Sequence, residues 1–393
     1  MAIYRLFPSQ DSTIYSAYPQ MNAGLDSILE INNIKSLDGS SQVARSLIKF
    51  DQDEIDYVLS NLVSGSNFEA SLRLYIAEVE GITQETKLEI YPMSGSWGNG
   101  NGQYLDTPLN SSGVSWFYQN YEQNILWNVD NTNQYVTSSY SGFNKGGGTW
   151  FTGSDDSSIH NILVTQSFNS RTYFDINANI TDIVKAWALS NNIEGIYGSS
   201  YYGTGSYSFI KIDNEGLIIK LDSESEFNPS SSTQPSFKYY SVDTNTIYPP
   251  VLEIKWDDSL YETGSLPSLN TAEAYISLGN NPIKFHPDSI NKFRVNARPN
   301  YPPRVYQTSS IYTNNYVLPE QSYYAIKDLD TNEMVIDFDD QYTKLSCDSK
   351  GNYFSLNMSG LETERNYVIL IKSLIEGDTI IEDNNFIFKV LNG

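Results

Sequence analysis

The stretch Ala44–Leu62, "ARSLIKFDQDEIDYVLSNL", begins with the pattern of a β-strand and ends with the pattern of a helix. Its later apolar residues have the i, i+3, i+4, i+7 spacing of an amphipathic helix: Ile55, Val58, Leu59 and Leu62. Asp51 precedes these apolar residues, and Glu54 lies three residues after Asp51, so the two form a D-x-x-E capping box. The stretch therefore predicts a strand that runs directly into a short capped helix.

The same arrangement returns at Thr172–Asn192, "TYFDINANITDIVKAWALSNN". A short strand pattern precedes apolar residues at the same spacing: Ile180, Ile183, Val184 and Trp187. Asn179 and Asp182 form the equivalent N-x-x-D cap. Since carboxylates stand at the N-terminus of both helices, phosphate binding there is disfavoured. We expect both helices to close the ends of a β core.

The bulk composition limits the classes of partner. The 393 residues include 47 acidic and 24 basic side chains, a formal net charge of −23. Neither nucleic acid nor an anionic membrane is expected as a partner, because phosphate affinity needs clustered Lys and Arg. The start, "MAIYRLFPSQDSTIYS", has no apolar core of a signal peptide, and no apolar run approaches the ~18 residues of a membrane span. We therefore expect synthesis in a cytosol and no general secretion signal.

The order of patterns along the chain predicts two β domains. Short strand patterns separated by turn residues recur over residues 1–256 and indicate a β-sandwich with the two short capping helices. Residues 94–158 interrupt them as an insertion rich in Gly, Asn, Ser and aromatic residues. Residues 257–270 have the composition of a linker. The strands of 271–393 are typical of an immunoglobulin-like sandwich, in which Tyr367 and Leu361 resemble a tyrosine corner.

No constellation in the sequence predicts catalysis. The two histidines, His160 and His286, lie in loops of different predicted domains, and the one cysteine, Cys347, is expected to be a free structural thiol. "DLDTNE", Asp328–Glu333, resembles a calcium loop but lacks its glycine, so a hairpin turn is expected. A carboxylate pair of a glycosidase cannot be recognised from sequence among so many acids. We expect a non-enzymatic protein without a cofactor, and the sequence does not decide whether a metal binds.

The candidate site is the set of aromatic residues in the insertion: Trp116, Phe117, Tyr118, Tyr121, Trp127 and Trp150. These side chains could stack on sugar rings, anchor a protein interface, or pack over the sandwich as an additional core. The insertion has almost no regular periodicity. Contacts within it are therefore not expected to offset the conformational entropy that is lost when its backbone becomes ordered. We therefore expect an assembly surface that is ordered mainly by neighbouring proteins.

The first 256 residues resemble the DNRLRE-type jelly roll, a family also classed as a carbohydrate-binding module. The resemblance rests on these segments: "DSTIYSAYPQMNAGLDSILEI", "ARSLIKFD", "EASLRLYIAE", "KLEIYPMSGSW", "YFDINANITDIVKAWAL" and "PPVLEIKW". In that family R-x-L-x-x-F-D precedes a helix, and a second helix ending in Trp follows a strand. The resemblance implies structural roles for Arg45, Asp51 and Trp187, and the capping box adds Glu54.

The whole chain resembles virion proteins of marine contractile-tailed bacteriophages, through "KFRVNARPNYPPRVYQTSS", "YYAIKDLDTNEMVIDFDD" and "DNNFIFKVLNG". This resemblance implies a structural component of the virion in the neck or collar, tail or baseplate. Its partners would be other virion proteins, and it would be present in multiple symmetric copies. The alternative is an adhesin module that binds glycans of the host surface.

Overall fold

The computed structural model describes residues 2–35, 41–63, 67–82, 85–106, 111–127, 136–138, 146–151, 162–190, 212–227, 234–279, 282–287 and 289–392. The chain forms two compact units. One comprises Leu6–Glu253, and the other combines Met1–Arg5 with Ile254–Gly393. His160 and residues 208–211 of one expected strand lie outside the described residues.

The all-β sandwich fold is confirmed. The strands up to Trp256 are β1 (Ala2–Leu6), β2 (Pro8–Tyr15), β3 (Ile28–Lys35), β4 (Ser41–Phe50), β5 (Phe68–Leu74), β6 (Ile76–Glu80), β7 (Thr86–Pro92), β8 (Tyr118–Asn120), β9 (Ile125–Leu126), β10 (Val136–Ser138), β11 (Thr149–Phe151), β12 (Val164–Phe168), β13 (Ile176–Asn179), β14 (Leu217–Leu221), β15 (Ser236–Tyr240) and β16 (Val251–Trp256). The larger sheet has the order β12-β7-β14-β4-β3-β15-β6, with β2 also paired to β4. A four-stranded sheet has the order β1-β16-β5-β13, and β8–β9 and β10–β11 are separate pairs.

The helices are short and follow strands, as expected. They are α1 (Gln52–Tyr57), α2 (Thr181–Ser190) and α3 (Ser223–Phe227), and a π-helical turn, Val58–Leu62, continues α1. The Asp51 carboxylate accepts hydrogen bonds from the amides of Asp53 and Glu54, at 2.8 and 3.1 Å, so it caps α1. Helix α3 was not expected from the sequence.

Helix α2 is fixed to the four-stranded sheet at its first turn. The amide of Ile180 donates to the carbonyl of Ala70 in β5 at 2.8 Å, and Thr181 Oγ1 accepts from the Ala70 amide at 2.9 Å. Asn179 Oδ1 accepts from the Thr181 amide at 3.0 Å. Trp187 is completely buried, so its role in the core agrees with the sequence.

The second unit contains the strands β17 (Ala274–Gly279), β18 (Lys284–Phe285), β19 (Ile290–Pro299), β20 (Ser322–Asp328), β21 (Met334–Ile336), β22 (Ser346–Asp348), β23 (Gly351–Asn357), β24 (Asn366–Ile375) and β25 (Asp378–Val390). They form one sheet of order β17-β19-β23-β22 and another of order β18-β25-β24-β20-β21. The Tyr367 hydroxyl donates to the carbonyl of Glu362 at 3.0 Å, which is the bond of a tyrosine corner. Asp328–Glu333 lies in the connection between the antiparallel strands β20 and β21, as expected for a hairpin.

The expected linker, residues 257–270, is instead part of the second unit. Tyr261 forms a β-bridge with Cys347 and Ser268 forms one with Val317. Leu269 is buried in the core of that unit. The turn-forming composition of residues 257–270 predicted an irregular backbone. An irregular segment can nevertheless pack against a domain when β-bridges satisfy its backbone amides.

Candidate functional site

The described part of the insertion forms a third layer over the larger sheet. Every residue of β14 is buried, although successive side chains of a strand point to opposite faces. One face of this sheet packs with the four insertion tryptophans in a single cluster whose buried members are Ile14, Val43, Leu47, Tyr91, Met93, Trp97, Val114, Trp116, Trp127, Trp150 and Ile218. A strand covered on both faces has a near-continuous apolar sequence, which explains "LIIKL".

The expectation of exposed aromatic anchors is wrong for the three tryptophans of the candidate site. Trp116, Trp127 and Trp150 are only 2%, 2% and 5% exposed. Phe117 and Tyr118 are half-buried, and Tyr121, which packs edge-on against Tyr118, is exposed. The structure thus places these indoles by internal packing, because a sheet face of the same chain is available to cover them.

Asn22 holds the insertion in place from a loop of the sandwich. Its buried amide group donates to the carbonyls of Asn99 and Val114, both at 2.8 Å. Its Oδ1 accepts from the amides of Gly24 and Gly102, at 3.2 and 2.8 Å. Both donors and both acceptor positions of the side chain are satisfied. The described part of the insertion is therefore ordered by its own chain, contrary to the expectation that neighbours order it.

Arg45 lies between the sheet and the insertion, fully buried. Its guanidinium forms two hydrogen bonds with the Glu226 carboxylate, at 2.7 and 3.0 Å, and it also donates to the carbonyl of Gly147. It lies 4.9 Å from the ring centre of Trp116 and 5.2 Å from that of Trp150. A bidentate ion pair flanked by aromatic faces satisfies a charge that could not otherwise be buried. The structural role implied for Arg45 is therefore to hold the insertion against the larger sheet.

Lys220 extends this buried charge network along β14. Its Nζ lies 2.8 Å from a Glu89 oxygen and 3.7 Å from a Glu226 oxygen. Burial, and then the charge of Glu89, raises the pKa of Tyr91, whose hydroxyl donates to that same carboxylate. Sequence reasoning missed Lys220 and Glu226. The lone lysine within "LIIKL" was the available signal, because a cation inside a fully apolar strand needs a buried partner.

Helix α3 positions Glu226 in this charge network. The Asp222 side chain accepts from the amides of Glu224 and Ser225 and so caps the helix. The side chain of Asn33 donates to the carbonyls of Ser225 and Glu226, at 3.0 and 2.8 Å. These contacts hold a five-residue helix that would not be stable alone.

The glycine run at 146–148 permits the close approach of the insertion to Arg45. Gly147 has φ +84°, and a Cβ there would lie 2.6 Å from Arg45 Nη1 and 2.8 Å from Trp116 Cζ2. Only glycine adopts this conformation without strain and leaves that space free. "GGGTW" is therefore a packing sequence that lets the chain pass over a buried guanidinium.

Arg45, Lys220 and Glu226 of the charge network are buried. Among the described residues, no group of three or more His, Cys, Asp or Glu side chains is arranged to hold a metal ion. No helix in the described ranges is both long enough and apolar enough to cross a membrane. The network holds the insertion against the larger sheet, and the side chains of Arg45 and Glu226 have no exposed surface.

The most exposed aromatic side chains of the second unit lie elsewhere, in residues 298–314, which we call the tyrosine-arginine segment. Tyr301 is 82% exposed and Tyr306 is fully exposed, and Val305 and Tyr312 are exposed as well. The segment contains Arg298 and Arg304 but no Asp or Glu, in a chain with a net charge of −23. Its first two residues end strand β19, and beyond Pro299 its only regular element is one 3₁₀ turn, Ile311–Thr313. Sequence reasoning treated these residues only as part of a resemblance.

Comparisons with known proteins do not assign a family. No family model matches the chain, and no curated protein matches it significantly. Among solved structures, a DUF4785 family protein from Legionella pneumophila is similar at 7% identity with a TM-score of 0.19. The match covers 98% of this chain and 65% of that protein, so the chain spans just under two thirds of its length.

Proposed function

We infer that the protein is a non-enzymatic structural component of a tailed-phage virion, in the neck or collar, tail or baseplate. It binds neighbouring virion proteins through the tyrosine-arginine segment. The observation that carries this proposal is the exposure of Tyr301 and Tyr306 beside Arg304. Tyr and Arg are the residue types that concentrate in the energetically dominant parts of protein interfaces.

The charge of the segment indicates the kind of neighbour. Arg298 and Arg304 give it a local positive charge on a strongly acidic protein. Complementary charge steers association and disfavours wrong partners. The expected partner is therefore an acidic surface of another virion protein or of a second copy of this chain, which agrees with an assembly of repeated copies.

The glycan alternative loses its support at the insertion, because the indoles that would stack on sugar rings are buried. Aromatic stacking on a sugar needs an exposed ring face. At the insertion, the protein-interface role of Trp116, Trp127 and Trp150 loses support for the same reason.

The test begins with the particle. Purified phage particles are analysed by mass spectrometry and labelled with antibody against the purified protein; its absence from intact particles would overturn the proposal. Particles are then assembled with the variant Tyr301→Ala/Tyr306→Ala. We expect at least a ten-fold loss of incorporation, whereas Tyr173→Ala, an almost fully exposed tyrosine of the other unit, leaves incorporation unchanged. Equal incorporation of both variants would contradict the role of the segment.

A further inference from the structure

A cleft of about 440 Å³ opens on the outward face of the β17–β19 pair, beneath residues 312–315. Its main lining side chains are Tyr275, Ser277, Asn296, Arg298, Tyr312 and Asn314. The volume is in the range of small-molecule sites, roughly 300–1,000 Å³. Its lining is aromatic and polar, and the one aliphatic member, Ala297, is itself buried.

The strand register fixes two pairs of these side chains. Tyr275 lies opposite Arg298, and Ser277 lies opposite Asn296. Residues two apart on a strand share a face, so both pairs project outward while the intervening Ile276 packs in the core. The floor of the cleft is therefore a rigid part of the sheet.

Arg298 lies between two tyrosines. Its guanidinium carbon is 4.6 Å from the ring centre of Tyr275 and 5.2 Å from that of Tyr312, and Nη1 donates to the carbonyl of Pro299 at 3.1 Å. No carboxylate in the described ranges forms an ion pair with it, whereas Arg294 on the same strand is held by both oxygens of Asp348, at 2.6 and 2.7 Å. In so acidic a chain, Arg298 keeps donors for an external carboxylate.

The loop over the cleft is held in one position. Asn315 Oδ1 accepts from the Ala297 amide at 2.9 Å, and its Nδ2 donates to the Lys350 carbonyl at 3.1 Å. Asn314 and Gln307 exchange two amide hydrogen bonds, at 3.1 and 3.2 Å. Tyr312 thus has a fixed backbone, which reduces the entropy lost when a ligand binds.

We propose that this cleft binds one acidic sugar residue of the uronic-acid class. The sugar carboxylate pairs with Arg298, the pyranose ring lies against the exposed faces of Tyr275 and Tyr312, and the hydroxyls exchange hydrogen bonds with Asn296 and Ser277. Side-chain amides and hydroxyls both donate and accept, as sugar hydroxyls do. A highly charged polyanion does not fit, because the net charge of −23 repels it. The cleft uses Arg298 and Tyr312 of the tyrosine-arginine segment, whereas the role in a virion is carried by Tyr301, Tyr306 and Arg304 of that segment, so different variants test the two proposals.

The test is saturation-transfer NMR and calorimetry on the full chain, with glucuronate and glucose as the probes. We expect glucuronate to bind with a Kd on the order of 1 mM and glucose at least about ten-fold more weakly. Arg298→Gln should remove the preference for glucuronate, and Tyr312→Ala should weaken the binding of both sugars. Arg304→Gln removes the same charge from the same segment outside the cleft and should bind like the wild type.

Three results would overturn the proposal: equal binding of both sugars, unchanged binding by Arg298→Gln, or an equal loss in Arg304→Gln, which would indicate a general charge effect. Thermal melting checks that each variant is folded, and the exposed position of Tyr312 keeps the second variant informative if Arg298→Gln does not fold. Particle incorporation of the same variants is measured separately. A failure of sugar binding is therefore distinguishable from a failure of the virion proposal.

Discussion

At the scale of single residues, Asp11 makes the stability of the protein depend on pH. The pKa of its carboxyl is raised from 3.8 to about 7, mainly by burial. The hydrogen bond from the Val242 amide at 2.7 Å lowers this pKa, and the nearby charges of Asp243 and Asp26 add to the increase. Because the folded-state pKa is the higher one, the protonated form favours folding. The contribution to stability is complete below about pH 4 and is lost as the pH rises to about 7.

We therefore expect Asp11→Asn to be more stable than the wild type at pH 8, by about 1–3 kcal/mol, because the amide accepts the same hydrogen bond without a charge. The difference should shrink towards pH 4. Urea unfolding at several pH values measures it. A constant difference across this range would show that Asp11 does not titrate as the burial implies.

Removing one partner of the Arg45–Glu226 ion pair should destabilise the protein more than replacing both partners with uncharged residues. Glu226→Gln leaves a buried guanidinium without its counter-charge and should cost about 3–5 kcal/mol of unfolding free energy. Arg45→Met combined with Glu226→Gln removes both charges, so its loss should be smaller than that of Glu226→Gln alone. Chemical denaturation of the three proteins completes the comparison. If the double variant is less stable than Glu226→Gln, the ion pair contributes more to the packing of the insertion on the larger sheet than the mutual neutralisation of two buried charges.

At the scale of elements, helix α2 carries a buried indole over β5. Trp187→Ala removes a completely buried side chain and should cost about 3–5 kcal/mol, measured by urea unfolding. Tyr173→Ala, at an exposed position shortly before the helix, is the control and should change stability by less than about 0.5 kcal/mol. Similar losses of stability in both variants would contradict the expectation that α2 closes the end of the β core.

The insertion layer should respond to a single methyl group at Gly147. Gly147→Ala would force Arg45 and Trp116 apart, so we expect a loss of about 2 kcal/mol or more. Hydrogen exchange at the amides of Val114 and Trp127, which donate to Gly98 and Phe117, should be slow in the isolated wild-type protein and faster in the variant. Fast exchange in the isolated wild type would restore the hypothesis that neighbours order the insertion.

Local patterns made the strands, α1, α2 and the tyrosine corner predictable, because their periodicity and caps lie within a few residues of one another. The charge network was not, because Arg45 and Glu226 are 181 positions apart. The insertion illustrates a different limit: an aromatic composition suits an interface and a core equally, and only the position of the uncovered sheet face decides between them. The acidic-sugar cleft depends on strand register, which sequence patterns alone did not supply.

At the scale of the whole molecule, the excess of acidic side chains should weaken the folded state at low ionic strength. A net charge of −23 repels itself more in a compact chain than in an extended one. Raising KCl from about 10 to 150 mM shortens the Debye length from about 30 to 8 Å, so the melting temperature should rise. Calorimetry in buffers of constant pH provides the measurement. A falling melting temperature would mean that attractive ion pairs outweigh the net repulsion.

The clustering of indoles gives the protein an intrinsic fluorescent reporter. All six tryptophans are buried, and four of them, Trp97, Trp116, Trp127 and Trp150, belong to one cluster between the insertion and the larger sheet. Their emission is expected to be blue-shifted and to shift to the red as soon as water enters this layer. The aromatic side chains that line the sugar cleft, Tyr275 and Tyr312, are both tyrosines, so sugar binding there should leave the tryptophan emission unchanged. One spectrum therefore follows opening of the insertion layer and stays insensitive to occupancy of the cleft.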